Sequence, residues 1–331
     1  MAETMASVKI GTRGSKLALS QTQQVTGQLS AIGGFVAEII PVKTDGDVLT
    51  GPLSQMGGTG VFAAALRDTL LNGGVDVAVH SLKDLPTAAV PGLTLGAIPV
   101  RADARDALCS RDGLKLAELP VGATVGTGSP RRAAQLLAAR PDLVIVDIRG
   151  NVDTRLARVP GLPGNPDVEW VDGKVGDLDA VVLAASGLGR IGRLDTVTEF
   201  LESDVMLPAP GQGALALECR TADADLTGVL GQSLNAVDDH DTRLAVTAER
   251  ALLARLEAGC SAPVGALAHR KGSMLYLETV VCSLDGTRSM RLKKATDGLT
   301  TVGATILGIE LAEELLAGGA GDLADLAGSA K

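Results

Sequence analysis

A chain of 331 residues has room for two or three domains with substantial cores. Hydrophobic residues make up 46% of it, yet only one Trp, one Tyr and three Phe are present, so the core is aliphatic, which suits α/β layers. The net charge of −9 and the lack of aromatic stacking platforms argue against a general nucleic-acid binder, and no apolar run reaches the length of a membrane span. Residues 1–7 lack the basic and apolar regions of a secretory signal, so a soluble, cytoplasmic protein is expected. Cys109, Cys219, Cys260 and Cys282 are widely spaced without a Cys-x-x-Cys pair, which indicates neither a zinc site nor a disulfide framework.

In chain order, Val8-Lys9-Ile10 reads as a strand running into Gly11-Thr12-Arg13-Gly14-Ser15, and a helix follows from about Lys16 to Ala31. Arg13 and Ser15 thus stand between a strand end and a helix start, where exposed amides favour anions. After a strand at Val36 to Val42, residues 44–60 form a glycine-rich stretch too long for an ordinary connection. A mobile lid and a disordered surface loop are equal readings of it. A helix at Val61 to Leu71 and a strand at Val75 to Val79 lead to His80-Ser81-Leu82-Lys83-Asp84-Leu85-Pro86. At this strand end Asp84 is the candidate catalytic carboxylate, set against its reading as a turn cap. The spacing of His80 and Asp84 is not taken as a metal pair, because a turn containing Pro86 is not a helix and His240 and His269 are remote.

The polar segment 99–105 reads as a crossing into a second unit, with the return near 202–207. In that unit Gly126-Thr127-Gly128-Ser129-Pro130-Arg131-Arg132 follows an apolar strand, and Pro130 stands where a first helical residue needs no amide hydrogen, so Arg131 and Arg132 open a helix. Leu143 to Ile148 is read as a parallel strand buried on both faces, ending at Arg149-Gly150-Asn151 with Arg155 one turn on. Two arginine pairs at the carboxyl ends of strands, flanked by Ser129 and Asn151, mark a site for several carboxylates or phosphates; the alternative is four unrelated surface ion pairs. A strand at Ala180 to Ala184 runs into Ser186-Gly187-Leu188-Gly189-Arg190-Ile191-Gly192, which has the spacing of a dinucleotide fingerprint and equally reads as a short helix presenting Arg190.

The last third differs in kind. A helix from about Asp239 to Ala258 is broken by Gly259, which leaves Cys260 on a loop, as a buried thiol or as an attachment point. Strands at 264–269, 274–284 and 290–294 and a helix at 300–317 make a small α+β domain.

Six segments together carry a resemblance: Gly11-Thr12-Arg13, Val79 to Asp84, Gly126 to Arg132, Arg149-Gly150-Asn151, Pro210-Gly211-Gln212-Gly213 and Gly259-Cys260. With these in order over nearly its whole length, the chain resembles the hydroxymethylbilane synthase (porphobilinogen deaminase) family. That resemblance implies an α/β fold of two periplasmic-binding-protein-like (type II) lobes with mixed sheets plus a small C-terminal α+β domain. The implied division is 1–102 with 203–221, 103–202, and 222–331. It implies a transferase of haem biosynthesis that condenses four porphobilinogen molecules onto a dipyrromethane cofactor held by Cys260. By position the cofactor contacts are Ser81, Lys83, Asp84, Ser129, Arg131 and Arg132, and the substrate contacts are Arg13, Ser15, Phe62, Arg149, Asn151, Arg155 and Arg190. Asp84 maps to the family's catalytic carboxylate, and no metal, nucleic acid or membrane enters; a monomer is expected. The chain departs from the family at Gln55 and Thr59, where lysines are frequent. Two other classes are alternatives: a two-lobed anion-binding protein, which leaves Cys260 without a purpose, and a nicotinamide-dependent dehydrogenase, which would use Gly187, Gly189 and Gly192.

Overall fold

The computed structural model describes residues 7–43, 60–162, 176–258, 262–324 and Leu326. Its first lobe contains β1 (Ser7–Arg13), α1 (Lys16–Gly33), β2 (Val36–Val42), α2 (Gly60–Leu71), β3 (Val77–Ser81) and β4 (Leu93–Ala97). The second lobe contains β5 (Asp106–Ser110), β6 (Thr124–Gly126), α3 (Pro130–Ala139), β7 (Val144–Val146), α4 (Val152–Leu156), β8 (Ala180–Ala184), α5 (Ala185–Arg190) and β9 (Glu199–Leu201). The chain then returns to the first lobe with β10 (Leu215–Arg220) and α6 (Val229–Val237).

The two sheets share one plan. Their strand orders are β2-β1-β3-β10-β4 and β7-β6-β8-β5-β9, parallel except for β10 and β5. Each odd strand is the one that arrives from the other lobe, which gives the expected pair of mixed sheets with a double crossing. Each sheet buries aliphatic side chains on both faces: Val8, Ile10, Val77 and Leu217 meet Val25 and Leu29 of α1 and Leu234 of α6, while Ala78 meets Leu66 and Leu70 of α2. The packing of the first lobe therefore runs on through α6, beyond position 221.

The C-terminal domain consists of α7 (His240–Arg255), the antiparallel strands β11 (Val264–Lys271), β12 (Met274–Cys282) and β13 (Ser289–Thr296), and α8 (Thr301–Ala317). Alternation along β12 sends Leu275, Leu277 and Val281 to the helices, and Val280 and Cys282 to Ala134 of the second lobe and Leu207 of the segment returning to the first. On its other side Val246 of α7 packs with Leu82, Leu85 and Ile98 of the first lobe. The small domain thus grips both lobes.

Most sequence-based expectations match within two residues, with Asp239 and Thr300 capping α7 and α8. Two do not hold. The strand expected to be buried on both faces at Leu143 to Ile148 is, among the described residues, a three-residue edge strand in which Val144 is 49% exposed. The glycines of the fingerprint-like run do not form a phosphate-cradling turn: α5 starts directly after β8 and takes in Gly187 and Gly189. Among the described residues no helix is long and apolar enough to cross a membrane.

Candidate active site

Asp84 stands at the end of a single 3-10 turn, Leu82–Asp84, that continues β3 and stops before Pro86. The turn is fixed from below by the segment returning to the first lobe. Leu82 N donates to Ala214 O at 3.0 Å, and Lys83 Nζ donates to Gln212 Oε1 at 3.3 Å. Gly211 makes this approach possible: its φ is +75°, and an added Cβ would lie 3.1 Å from Leu82 Cγ and 3.3 Å from Lys83 N.

Lys83 titrates at about 8 rather than 10.5. Burial is the main cause; Asp84 and Asp106 oppose the shift, and the cations of Arg132 and Arg131 add to it. This pattern places groups from the two lobes in one electrostatic neighbourhood. The Lys83 ammonium is disfavoured there, and an arriving anion would relieve that cost.

Arg131 and Arg132, in the first turn of α3, are both buried against a carboxylate that sequence reasoning missed. Arg131 Nη1 donates to Asp106 Oδ2 at 2.7 Å and to Leu207 O at 2.7 Å, while Arg132 Nε donates to Asp106 Oδ1 at 2.9 Å. Asp106 is itself fully buried; burial alone would raise its carboxyl, but the two guanidiniums hold it well below the usual carboxylate range. Gln212 closes the connection, with Nε2 donating to Asp106 Oδ1 at 2.9 Å and Oε1 accepting from Lys83. One continuous set of polar contacts therefore runs from Lys83 through Gln212 and Asp106 to both arginines. Among the described residues Arg131 Nε is buried without a hydrogen-bond partner.

The second arginine pair is more open. Arg149 Nη2 reaches Asp147 Oδ2 at 3.3 Å, and Arg155 Nε donates to Gly150 O at 2.9 Å. Arg155 titrates at about 10, lowered first by burial and then by the cations of Arg132 and Arg149. Arg155 is thus repelled by two other guanidiniums at the carboxyl ends of β6 and β7, an arrangement that anion binding stabilises. Asn151 has a structural use: it caps α4, its Oδ1 accepting from Thr154 N at 2.9 Å. Ser129 precedes α3 without a side-chain cap, and Ser81 precedes the Asp84 turn in the same way.

Arg13 ends β1, and Ser15 caps α1 by accepting from Ala18 N at 3.3 Å. An open cavity of about 460 Å³ beside them is lined by Gly14, Ser15, Pro41, Val42 and Lys43. Lys43 was not anticipated, although the rule that selected Arg13 would have found it at the end of β2. Arg190 ends α5 and donates through Nη2 to Gly213 O at 2.7 Å, between the lobes. His80 turns away from the site: it is buried in β3 with Nε2 3.2 Å from Glu218 Oε2, and Arg67 clamps the same carboxylate. Residues 44–59, with Gln55 and Thr59, and Cys260 lie outside the described residues, as does the side chain of Phe62.

The family described as "Porphobilinogen deaminase, dipyromethane cofactor binding domain" matches residues 8–228, and its "C-terminal domain" matches residues 243–317. The chain belongs to the porphobilinogen deaminase family. A porphobilinogen deaminase of Cutibacterium acnes is 54% identical over 336 residues, covering 98% of this chain and 99% of that one. Another, of Leifsonia xyli subsp. xyli, is 54% identical over 328 residues, covering 97% and 95%. Among solved structures, an ABC transporter periplasmic substrate-binding protein from Coxiella burnetii aligns over 70% of this chain and 91% of its own with a TM-score of 0.41 and 16% identity. The site suits the family's cofactor: a buried Arg131 Nε without a partner among the described residues, an Arg155 repelled by Arg132 and Arg149, and a half-buried Lys83 provide donors for a molecule bearing several carboxylates.

Proposed function

We propose that Asp84 is the catalytic carboxylate of hydroxymethylbilane synthesis, that Cys260 carries the dipyrromethane cofactor through a thioether, and that the arginines hold the carboxylates of cofactor and substrate. Family membership makes the chain a transferase that builds hydroxymethylbilane from porphobilinogen in tetrapyrrole biosynthesis. The observation that supports the residue roles is the continuous set of polar contacts from Lys83, beside Asp84, through Gln212 and Asp106 to Arg131 and Arg132 in the other lobe.

When bound, the cofactor supplies the free α-carbon of its terminal pyrrole as nucleophile and stays on the protein as primer. In porphobilinogen the aminomethyl C–N bond breaks, ammonia leaves with the bonding pair, and the pyrrole becomes a cationic azafulvene. The new carbon–carbon bond would form at its exocyclic carbon, and the proton would then leave the α-carbon of the attacking ring, which restores that ring's aromaticity. Positive charge gathers at pyrrole NH groups in each step, and the fixed carboxylate of Asp84 stabilises it. Lys83, Arg131 and Arg132 hold cofactor carboxylates. Arg13, Arg149, Arg155 and Arg190 orient the incoming ring, with Ser15, Ser81, Ser129, Asn151 and Phe62 completing the surroundings. The proposed domains are 1–102 with 203–221, 103–202 and 222–331, with α6 of the last segment packed on the first lobe, and the enzyme acts as a cytoplasmic monomer.

The other three cysteines support the role of Cys260 by their chemistry. Cys109, Cys219 and Cys282 are buried, and burial pushes each thiol up to about 11, which suppresses the thiolate needed for attachment. Tryptic digestion of the purified enzyme is expected to yield the Cys260 peptide carrying two pyrrole units. An unmodified peptide from active enzyme, or full activity in Cys260→Ala, would remove the assignment.

A further inference from the structure

The Asp84 turn is held from a third direction, by the C-terminal domain. Arg250 of α7 donates through Nη1 to Leu85 O at 2.8 Å and through Nη2 to Pro86 O at 2.7 Å, with Leu82 O at 3.5 Å from Nη1. These three carbonyls bracket Lys83 and Asp84. One helical turn earlier on the same face, Val246 packs with Leu82 and Leu85. Between them Glu249, fully buried, accepts from Gly211 N at 2.7 Å and from Arg101 Nη1 at 2.6 Å, and so holds the loop beneath the turn. The next residues of the sequence after α7 lead to Cys260.

We propose that Arg250 is a positioning residue for the reaction, fixing the Asp84 turn to α7 of the C-terminal domain so that the carboxylate is held in one place. The proposal rests on Asp84 being the catalytic carboxylate. A planar guanidinium suits the task because it aims separate N–H groups at carbonyls on two sides of the turn, whereas an ammonium offers one nitrogen. The cation is kept there at a cost: burial lowers its titration to about 10, Arg67 repels it, and Glu218 only partly offsets this. Among the described residues Arg250 forms no ion pair with a carboxylate, so its hydrogen bonds serve the turn.

The test uses cofactor-loaded holoenzyme, with loading confirmed by intact mass, and three variants: Arg250→Lys, Arg250→Met and Asp84→Asn. A misplacement of about 1 Å suffices for a loss near 10²-fold, so Arg250→Met should lower kcat per loaded molecule by roughly 10 to 10² with KM changed less than about threefold. Arg250→Lys should recover part of the loss. Because Arg250 acts through Asp84, adding Arg250→Met to Asp84→Asn should lower the residual rate little further. A domain-docking role alone gives a lower melting temperature with unchanged kcat per loaded molecule, and a catalytic effect independent of Asp84 gives losses that multiply in the double variant. Either of the last two results overturns the proposal. If Arg250→Met fails to load, the same comparison is made with Arg250→Lys, alone and on Asp84→Asn, where a wild-type kcat or multiplying losses are equally fatal. Undiminished turnover in Asp84→Asn alone would instead remove the catalytic assignment.

Discussion

Replacing Asp84 by Asn should leave a folded, cofactor-loaded enzyme whose turnover is lower by roughly 10² to 10⁴, equivalent to about 3 to 5 kcal/mol of transition-state stabilisation. The reason lies in the support of the turn. Contacts from Ala214, Gln212 and Arg250 reach the backbone of residues 82–86 and the side chain of Lys83, and none of them needs the Asp84 carboxylate. An uncharged side chain of the same shape therefore spares the fold and removes only the charge that faces the developing cation. If Asp84 were instead a turn cap, its loss would lower stability by about 1 kcal/mol and leave the rate per folded molecule intact. Melting temperature and single-turnover rate measured on one cofactor-loaded preparation separate the two.

The second large effect is expected at Asp106. This carboxylate is buried between two buried guanidiniums and also accepts from Gln212, so Asp106→Asn leaves two cations without a counter-charge. Breaking one partner of such a buried set costs about 3 to 5 kcal/mol, against about 0.5 kcal/mol or less for Asp112→Asn, whose side chain is 79% exposed. Urea denaturation of the three proteins should show this order, and a loss at Asp106 no larger than at Asp112 would contradict it. The pH dependence has a defined sign. The folded value of Asp106 is depressed, so its stabilisation is complete above its ordinary value of 3.8 and is lost as pH falls through the folded value. The difference between wild type and Asp106→Asn should therefore hold from neutral pH to about pH 4 and shrink below it.

The fold was legible wherever local signals agree. Pro130 before Arg131, Asp239 before α7 and Thr300 before α8 mark helix starts that the structure keeps, and short aliphatic runs mark the strands. The edge position of β7 was not legible, because an apolar run reads the same whether or not another strand lies beyond it. In the site, strand-end arginines and the Asp84 turn could be chosen from chain position alone, since the carboxyl edge of such a sheet gathers ligand groups. Their partners could not. Asp106 precedes Arg131 by 25 positions and meets it only because β5 crosses into the second sheet, and Glu218 meets His80 only because β10 returns to the first. Gln212 stood in a quoted segment, yet its contacts with Lys83 and Asp106 depend on both crossings at once. Arg250 shares that blindness, being a helical arginine whose partners are backbone carbonyls more than 160 positions away.

The most direct test of the whole account is the intact mass of the purified enzyme before and after mixing with less than one equivalent of porphobilinogen. The expected result is a protein heavier than its sequence by two pyrrole units, which then gains one further unit at a time, with Cys260→Ala showing neither the offset nor the additions. A protein of unmodified mass that turns over porphobilinogen, or additions that persist in Cys260→Ala, would contradict it.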